Sequence, residues 1–198
     1  MTTRPLERPT AHLLNHVELS YAPGDRDLAR ALLEALGFRV LDPQTDPIPE
    51  NLGPAAGPFL IVYLDVEDGD VIDNILYASE AHPAQWQFEQ ALAERLRSDS
   101  ELAALHRSLR EAYGRVPQAM THFGVAYSDA DAVKTAMKRL EEDARIRDRL
   151  TLSPVYEPGS PGSVDDRVVQ AFVYTDLVSV GLLTGGQQIE LQVRLDTA

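Results

Sequence analysis

The chain has 198 residues, with 18 Lys and Arg against 31 Asp and Glu, a formal charge of −13 and no cysteine. Its length and its 44% apolar, 25% charged composition suit a globular chain with one core, built by a single domain or by two small repeated halves. Lack of cysteine excludes disulfides, thiolate metal sites and a Cys nucleophile. The acidic balance argues against nucleic acid and against an anionic membrane surface, because neutralising phosphates takes clustered Lys and Arg.

In chain order, the first predicted element is a strand over 13–21, carrying His16. A helix follows, with Asp25 or Asp27 as its cap, Leu28, Leu32, Leu33 and Leu36 as its apolar stripe and Gly37 as its left-handed C-cap. Strands come next around 39–41, over 59–65 and over 74–79, with a Pro- and Gly-rich loop at 42–58. Residues 83–114 read as two helices. Phe88, Leu92 and Leu96 stripe the first, Leu102, Leu105, Leu109 and Tyr113 stripe the second, and Ser98 with Glu101 forms a capping box between them. The earlier order then repeats. A strand over 120–128 carries His122, a helix capped by Ser128 and Asp131 presents Val133, Met137 and Leu140, and strands follow at 151–156, 171–176 and 187–193. The segment 157–166 is a loop by composition. The fold class expected is α+β: two β-α-β-β-β modules, about 11–82 and 118–198, with a helical insertion at about 83–114, all in one domain over 1–198. No apolar run reaches the ~20 residues of a membrane span. No basic-then-apolar leader opens the chain, so the expected location is cytoplasmic.

Strand parity sorts the side chains. Ile189, Leu191, Val193 and Leu195 share one face of the last strand, and Gln188, Glu190, Gln192 and Arg194 share the other. Val17 and Leu19 oppose His16, Glu18 and Ser20; Phe123 and Val125 oppose His122, Gly124 and Ala126. With helices covering the apolar faces, His16, His122 and Glu190 all fall on the far side. If the two sheets close into a shared cup, these three side chains point into it. Two imidazoles and one carboxylate suit a divalent ion such as Fe(II), Mn(II) or Zn(II), with positions left for substrate or water. A single histidine in such a place is more often an ordinary half-buried side chain. Equivalent placement in two repeats is what favours the metal reading.

The layout resembles the vicinal oxygen chelate superfamily, which includes the glyoxalase, bleomycin-resistance and extradiol dioxygenase families. Asn15-His16-Val17, Thr121-His122-Phe123-Gly124-Val125 and Gly186-Gln187-Gln188-Ile189-Glu190-Leu191 carry the likeness, the last resembling a Gly-Asn-x-Ile-Glu-Leu ending. The resemblance implies a cup-shaped mixed sheet around one metal. The chain departs from it at Leu183-Thr184-Gly185, where Asp-Pro is usual. It departs again in the first module, where Tyr77 or Ser79 falls opposite the Glu190 position; Glu80 serves there only if the register shifts. The remaining His16, His122 and Glu190 set resembles the extradiol ring-cleaving dioxygenases. That resemblance implies Fe(II), or Mn(II), a catechol-like small molecule and O₂ as reactants, and a Tyr or His for protons, for which Tyr174 and Tyr77 are the candidates. Two further readings stand. One is a glyoxalase-type lyase, isomerase or epimerase on Zn(II) or Ni(II); the other is a non-catalytic small-molecule binding or resistance protein. The acidic excess would suit a cationic ligand of such a protein. Neither nucleic acid nor a membrane is an expected partner. Two modules in one chain are compatible with a homodimer without requiring one.

Overall fold

Alternating apolar and polar side chains drive a strand to lay one face on a core and leave the other open, and this alternation positions everything below. The structure, a computed structural model, describes residues 15–47, 57–64 and 75–195. The elements are β1 (His16–Tyr21), α1 (Arg26–Ala35), β2 (Arg39–Leu41), β3 (Leu60–Tyr63), β4 (Ile75–Glu80), α2 (Pro83–Ser98), α3 (Ser100–Arg115), β5 (His122–Ala126), α4 (Ala130–Glu142), β6 (Leu150–Leu152), β7 (Val168–Thr175) and β8 (Gln187–Arg194). The fold is α+β, with two four-stranded mixed sheets of order β1-β4-β3-β2 and β5-β8-β7-β6. In each, the first strand pairs parallel to the last and the other pairings are antiparallel. The expected strand residues 13, 14, 65 and 74 and most of the 42–58 loop, like His12, lie outside the described residues.

One apolar cluster draws on both halves. It joins Leu19, Leu32, Leu33, Leu60 and Ala78 to Val133, Leu140, Ile146, Val173, Ile189 and Leu191. Each Leu, Ile or Val buried there contributes on the order of 1.5–3 kcal/mol. On β8 the predicted parity holds in that Leu191 and Val193 are core and Glu190 and Gln192 are half-buried on the other face, but Gln188 on that face is fully buried, donating from Nε2 to Pro117 O. Gly37 takes φ +96° after α1, where its N–H and that of Phe38 close the helix on Glu34 O and Leu33 O. Polar ties also join the halves. Tyr127 Oη donates to Leu36 O at 2.6 Å, and burial pushes that phenol's pKa up. Ser20 and Ser179 exchange backbone hydrogen bonds of 2.8 and 2.9 Å, so the β7–β8 connection lies along the β1 edge.

The helix starts differ from those expected. Asp99, not Ser98, caps α3, accepting from the N–H groups of Glu101 and Leu102, while Ser98 bonds back to Glu94 O. Asp129, not Ser128, caps α4 through Ala132 N–H. Asp25 stands at the start of α1 without a side-chain cap bond. Where Ser and Asp adjoin, the residue with extended backbone takes the cap, and both Asp99 and Asp129 have it.

Among the described residues α2 buries only Glu89, and α3 buries none. Phe88 and Leu105 of the predicted stripes are instead 56% and 63% exposed. The helical pair is held by a few polar anchors on the β7–β8 connection. Glu89 accepts from the N–H groups of Leu183 (2.6 Å) and Thr184 (2.9 Å) and from the Thr184 hydroxyl. Gln85 donates to Gly181 O, and His106 donates from Nε2 to Thr184 O at 2.8 Å.

Candidate metal centre

Beta-strand pairing brings His122 and Glu190 together. His122 opens β5, Glu190 lies on β8 opposite Gly124, and both side chains stand on the open face of the second sheet. His122 Nε2 lies 3.1 Å from Glu190 Oε2, with the two side chains 24% and 12% exposed. Gly124 lies against this carboxylate, where an added Cβ would make ordinary contact with Glu190 Oε2 at 3.4 Å. The Phe172 ring closes the other side, edge-on to His122 at 5.6 Å, with Tyr156 beyond it.

The proton positions follow from the partners. His122 Nδ1 is 2.7 Å from Met120 O, a carbonyl that only accepts, so Nδ1 carries the hydrogen. In the neutral ring, Nε2 then presents a lone pair to a carboxylate oxygen. Two acceptors facing each other at 3.1 Å call for positive charge: a second proton on the ring, or a cation bound to both. The 3.1 Å separation is that of a hydrogen-bonded ion pair, and it also sets the two groups close enough for one cation to bridge them. The bond from Nδ1 to a backbone carbonyl is also the usual outer partner of a metal-binding imidazole. Glu190's second oxygen, Oε1, accepts from Gln192 Nε2 at 2.8 Å.

His16 stands in the other sheet. It is exposed, its Nδ1 donates to Asn15 Oδ1 at 2.7 Å, and its ring meets Tyr77 edge-on at 5.8 Å. A cleft of about 840 Å³ lies between β1 and β5, walled by His16 and Gly124 together with Phe38, Phe123, Val125 and Ala136; His122 and Glu190 do not line it. Among the described residues no three His, Asp or Glu side chains are gathered around one point, so His16 does not join His122 and Glu190.

Register settles what stands opposite the Glu190 position. In the first sheet Glu18 pairs with Tyr77 as Gly124 pairs with Glu190 in the second, so Tyr77 takes that place and Glu80 does not. Glu18 is exposed and accepts from Ser79 Oγ at 2.6 Å. Tyr77 is half-buried between His16 and Phe59. Tyr174 is buried, stacked on Tyr113 of α3 with centroids 4.5 Å apart, and its hydroxyl donates to Gly185 O. Burial pushes its pKa up, with the nearby Arg110 opposing. His82 caps α2 by accepting from Ala84 N–H. Two participants carry no sequence signal: the Met120 carbonyl, which is backbone, and Gln192, whose parity matches any outward residue of β8. Comparison of the chain with family models, with curated proteins and with solved structures returned no match.

Proposed function

We propose that the two sheets form a shared cup around one divalent metal ion held by His122, Glu190 and His16, and that the protein is an Fe(II)-dependent, extradiol-type dioxygenase acting on a catechol-like small molecule. One observation carries this reading: His122 Nε2 and a Glu190 carboxylate oxygen face each other at 3.1 Å, with the far side of each group already hydrogen-bonded. His16 is the proposed third ligand; because no three such side chains gather around one point among the described residues, it reaches the ion only if β1 and β5 close on each other. Its Nδ1–H is held by Asn15, so Nε2 is the ring nitrogen that would bind. Fe(II), or Mn(II), when bound would carry electrons between a chelated catecholate and O₂. Phe172 and Tyr156 offer an aromatic wall beside it. Tyr77 is proposed to move a proton because its ring lies edge-on to His16. Tyr174 is the other candidate; it donates to Gly185 O, and burial raises its pKa.

The second reading is a glyoxalase-type Zn(II) or Ni(II) lyase, isomerase or epimerase, against which Tyr77 stands where a first-half carboxylate ligand would be needed. The test is metal content of the purified protein, followed by O₂ uptake with a catechol panel after anaerobic Fe(II) loading. One iron per chain, with O₂ uptake lost in His122→Ala, supports the dioxygenase. Zn(II) or Ni(II) without O₂ uptake supports the second reading, and no metal binding leaves a small-molecule binding protein.

A further inference from the structure

Resting on the metal reading above, we infer that Gln192 is the positioning residue of the site: its amide holds Glu190 so that a single carboxylate oxygen faces His122. Gln192 follows Glu190 by two residues on β8, so parity puts both side chains on the same open face. Its Nε2 donates to Glu190 Oε1 at 2.8 Å, while Oε2 points at His122 Nε2. A free carboxylate turns about its last torsion, which is broad and two-fold, and would present either oxygen or both. One oxygen tied to Gln192 removes that freedom.

Ala126 and Gln170 are the cross-strand neighbours of this amide. Directly across β5 stands Ala126, which has no polar side-chain atom. Across β7 stands Gln170, buried, whose own Nε2 finds no partner among the described residues. Gln192 is thus not spent on its neighbour, even where a buried amide stays unsatisfied. The resulting chain of contacts runs Gln192 Nε2–H to Glu190 Oε1, Glu190 Oε2 to His122 Nε2, and His122 Nδ1–H to Met120 O. Each end is fixed from outside, one by a side chain and one by backbone. Only the side-chain end can be removed by substitution.

Gln192→Met keeps the length and the packing and deletes the donor. The experiment titrates wild type, Gln192→Met and His122→Ala anaerobically with Co(II), following visible absorption, beside the melting temperatures of the metal-free proteins. Outer partners of metal ligands typically change affinity 10–100-fold. The expected result is Co(II) binding weakened by about tenfold or more in Gln192→Met, with an altered spectrum and an unchanged metal-free melting temperature. Should Gln192→Met fail to fold, Gln192→Leu takes its place. Equal affinity and an identical spectrum in the donorless variant would overturn the role of Gln192 while leaving the metal site standing. Wild type that takes up no Co(II), or His122→Ala that binds as tightly as wild type, would overturn the metal reading and this inference together.

Discussion

Glu89 is the buried charge on which the helical insertion hangs, and Glu89→Gln is the sharpest test of that attachment. The carboxylate is 2% exposed. Its Oε1 accepts from Leu183 N–H, and its Oε2 accepts from the N–H and hydroxyl of Thr184. Glutamine has the same shape but one acceptor. With its carbonyl turned to Thr184, its NH₂ faces the Leu183 N–H, donor against donor, at a place where the acid makes a 2.6 Å bond. A buried unsatisfied N–H costs about 1–3 kcal/mol, and losing the charge assistance of the remaining bonds adds about 1 kcal/mol. The sum is about 3 kcal/mol. With a urea slope of about 2 kcal/mol per M, the helical pair should release about 1.5 M earlier. Trp86, the chain's single tryptophan, lies three residues before Glu89 on α2 and shares a surface pocket with Leu183. Its fluorescence therefore reports release, while far-UV circular dichroism reports the whole fold. The two transitions should separate in Glu89→Gln and coincide in wild type. Coincident transitions in the variant, with a midpoint within about 0.3 M of wild type, would refute the anchor, since that shift is only about 0.6 kcal/mol.

Asp42 and Arg26 form a bidentate pair at 2.5 and 2.9 Å, with Asp42 buried. Hydrogen bonding to Arg26 holds the Asp42 carboxyl below the usual range. A lowered folded pKa gives stability that is fully present above the unfolded value of about 3.9 and lost as pH falls through the folded value. Asp42→Asn should therefore cost about 3 kcal/mol at pH 7 by urea unfolding and show a flatter stability curve below about pH 4. Gly186 has φ +70° and ψ 177°, and a Cβ there would enter the Tyr174 ring. Gly186→Ala should lose more than about 3 kcal/mol, or on the order of 10 °C in melting temperature by calorimetry; a loss under about 1 kcal/mol would mean that the Tyr174 ring simply moves aside.

Much of this architecture was legible because it depends on side-chain period. His16, Glu18 and Ser20 alternate with Val17 and Leu19, and the same rule placed Glu190 on the open face of β8 beside the start of β5. The chain could not reveal which of two adjoining polar residues caps a helix. Ser98 and Asp99, or Ser128 and Asp129, offer similar oxygens, and backbone angles decide between them. Nor could it reveal that Phe88 and Leu105 stay in solvent. A 3.6-residue stripe predicts a face that wants burial, but the insertion is held instead through Glu89, Gln85, His106 and Tyr113. His106 reads as a surface residue on its helix and is half-buried because Thr184 O lies within its reach.

The two halves repeat in topology and diverge in chemistry, and that divergence shapes the site. At matching register, the second half pairs Gly124 with Glu190, and the first pairs Glu18 with Tyr77. Gly124 on β5 lies against the Glu190 carboxylate, whose Oε2 faces His122. In the first half the larger side chains fill both places. Glu18 accepts from Ser79, and the Tyr77 ring covers His16. Thus one half orients a carboxylate toward its histidine, and the other sets its histidine against an aromatic ring. A symmetric pair of sites would need Tyr77 to be acidic and Glu18 to be small. The chain has neither, so any ion would take two ligands from the second half and draw on the first only through His16.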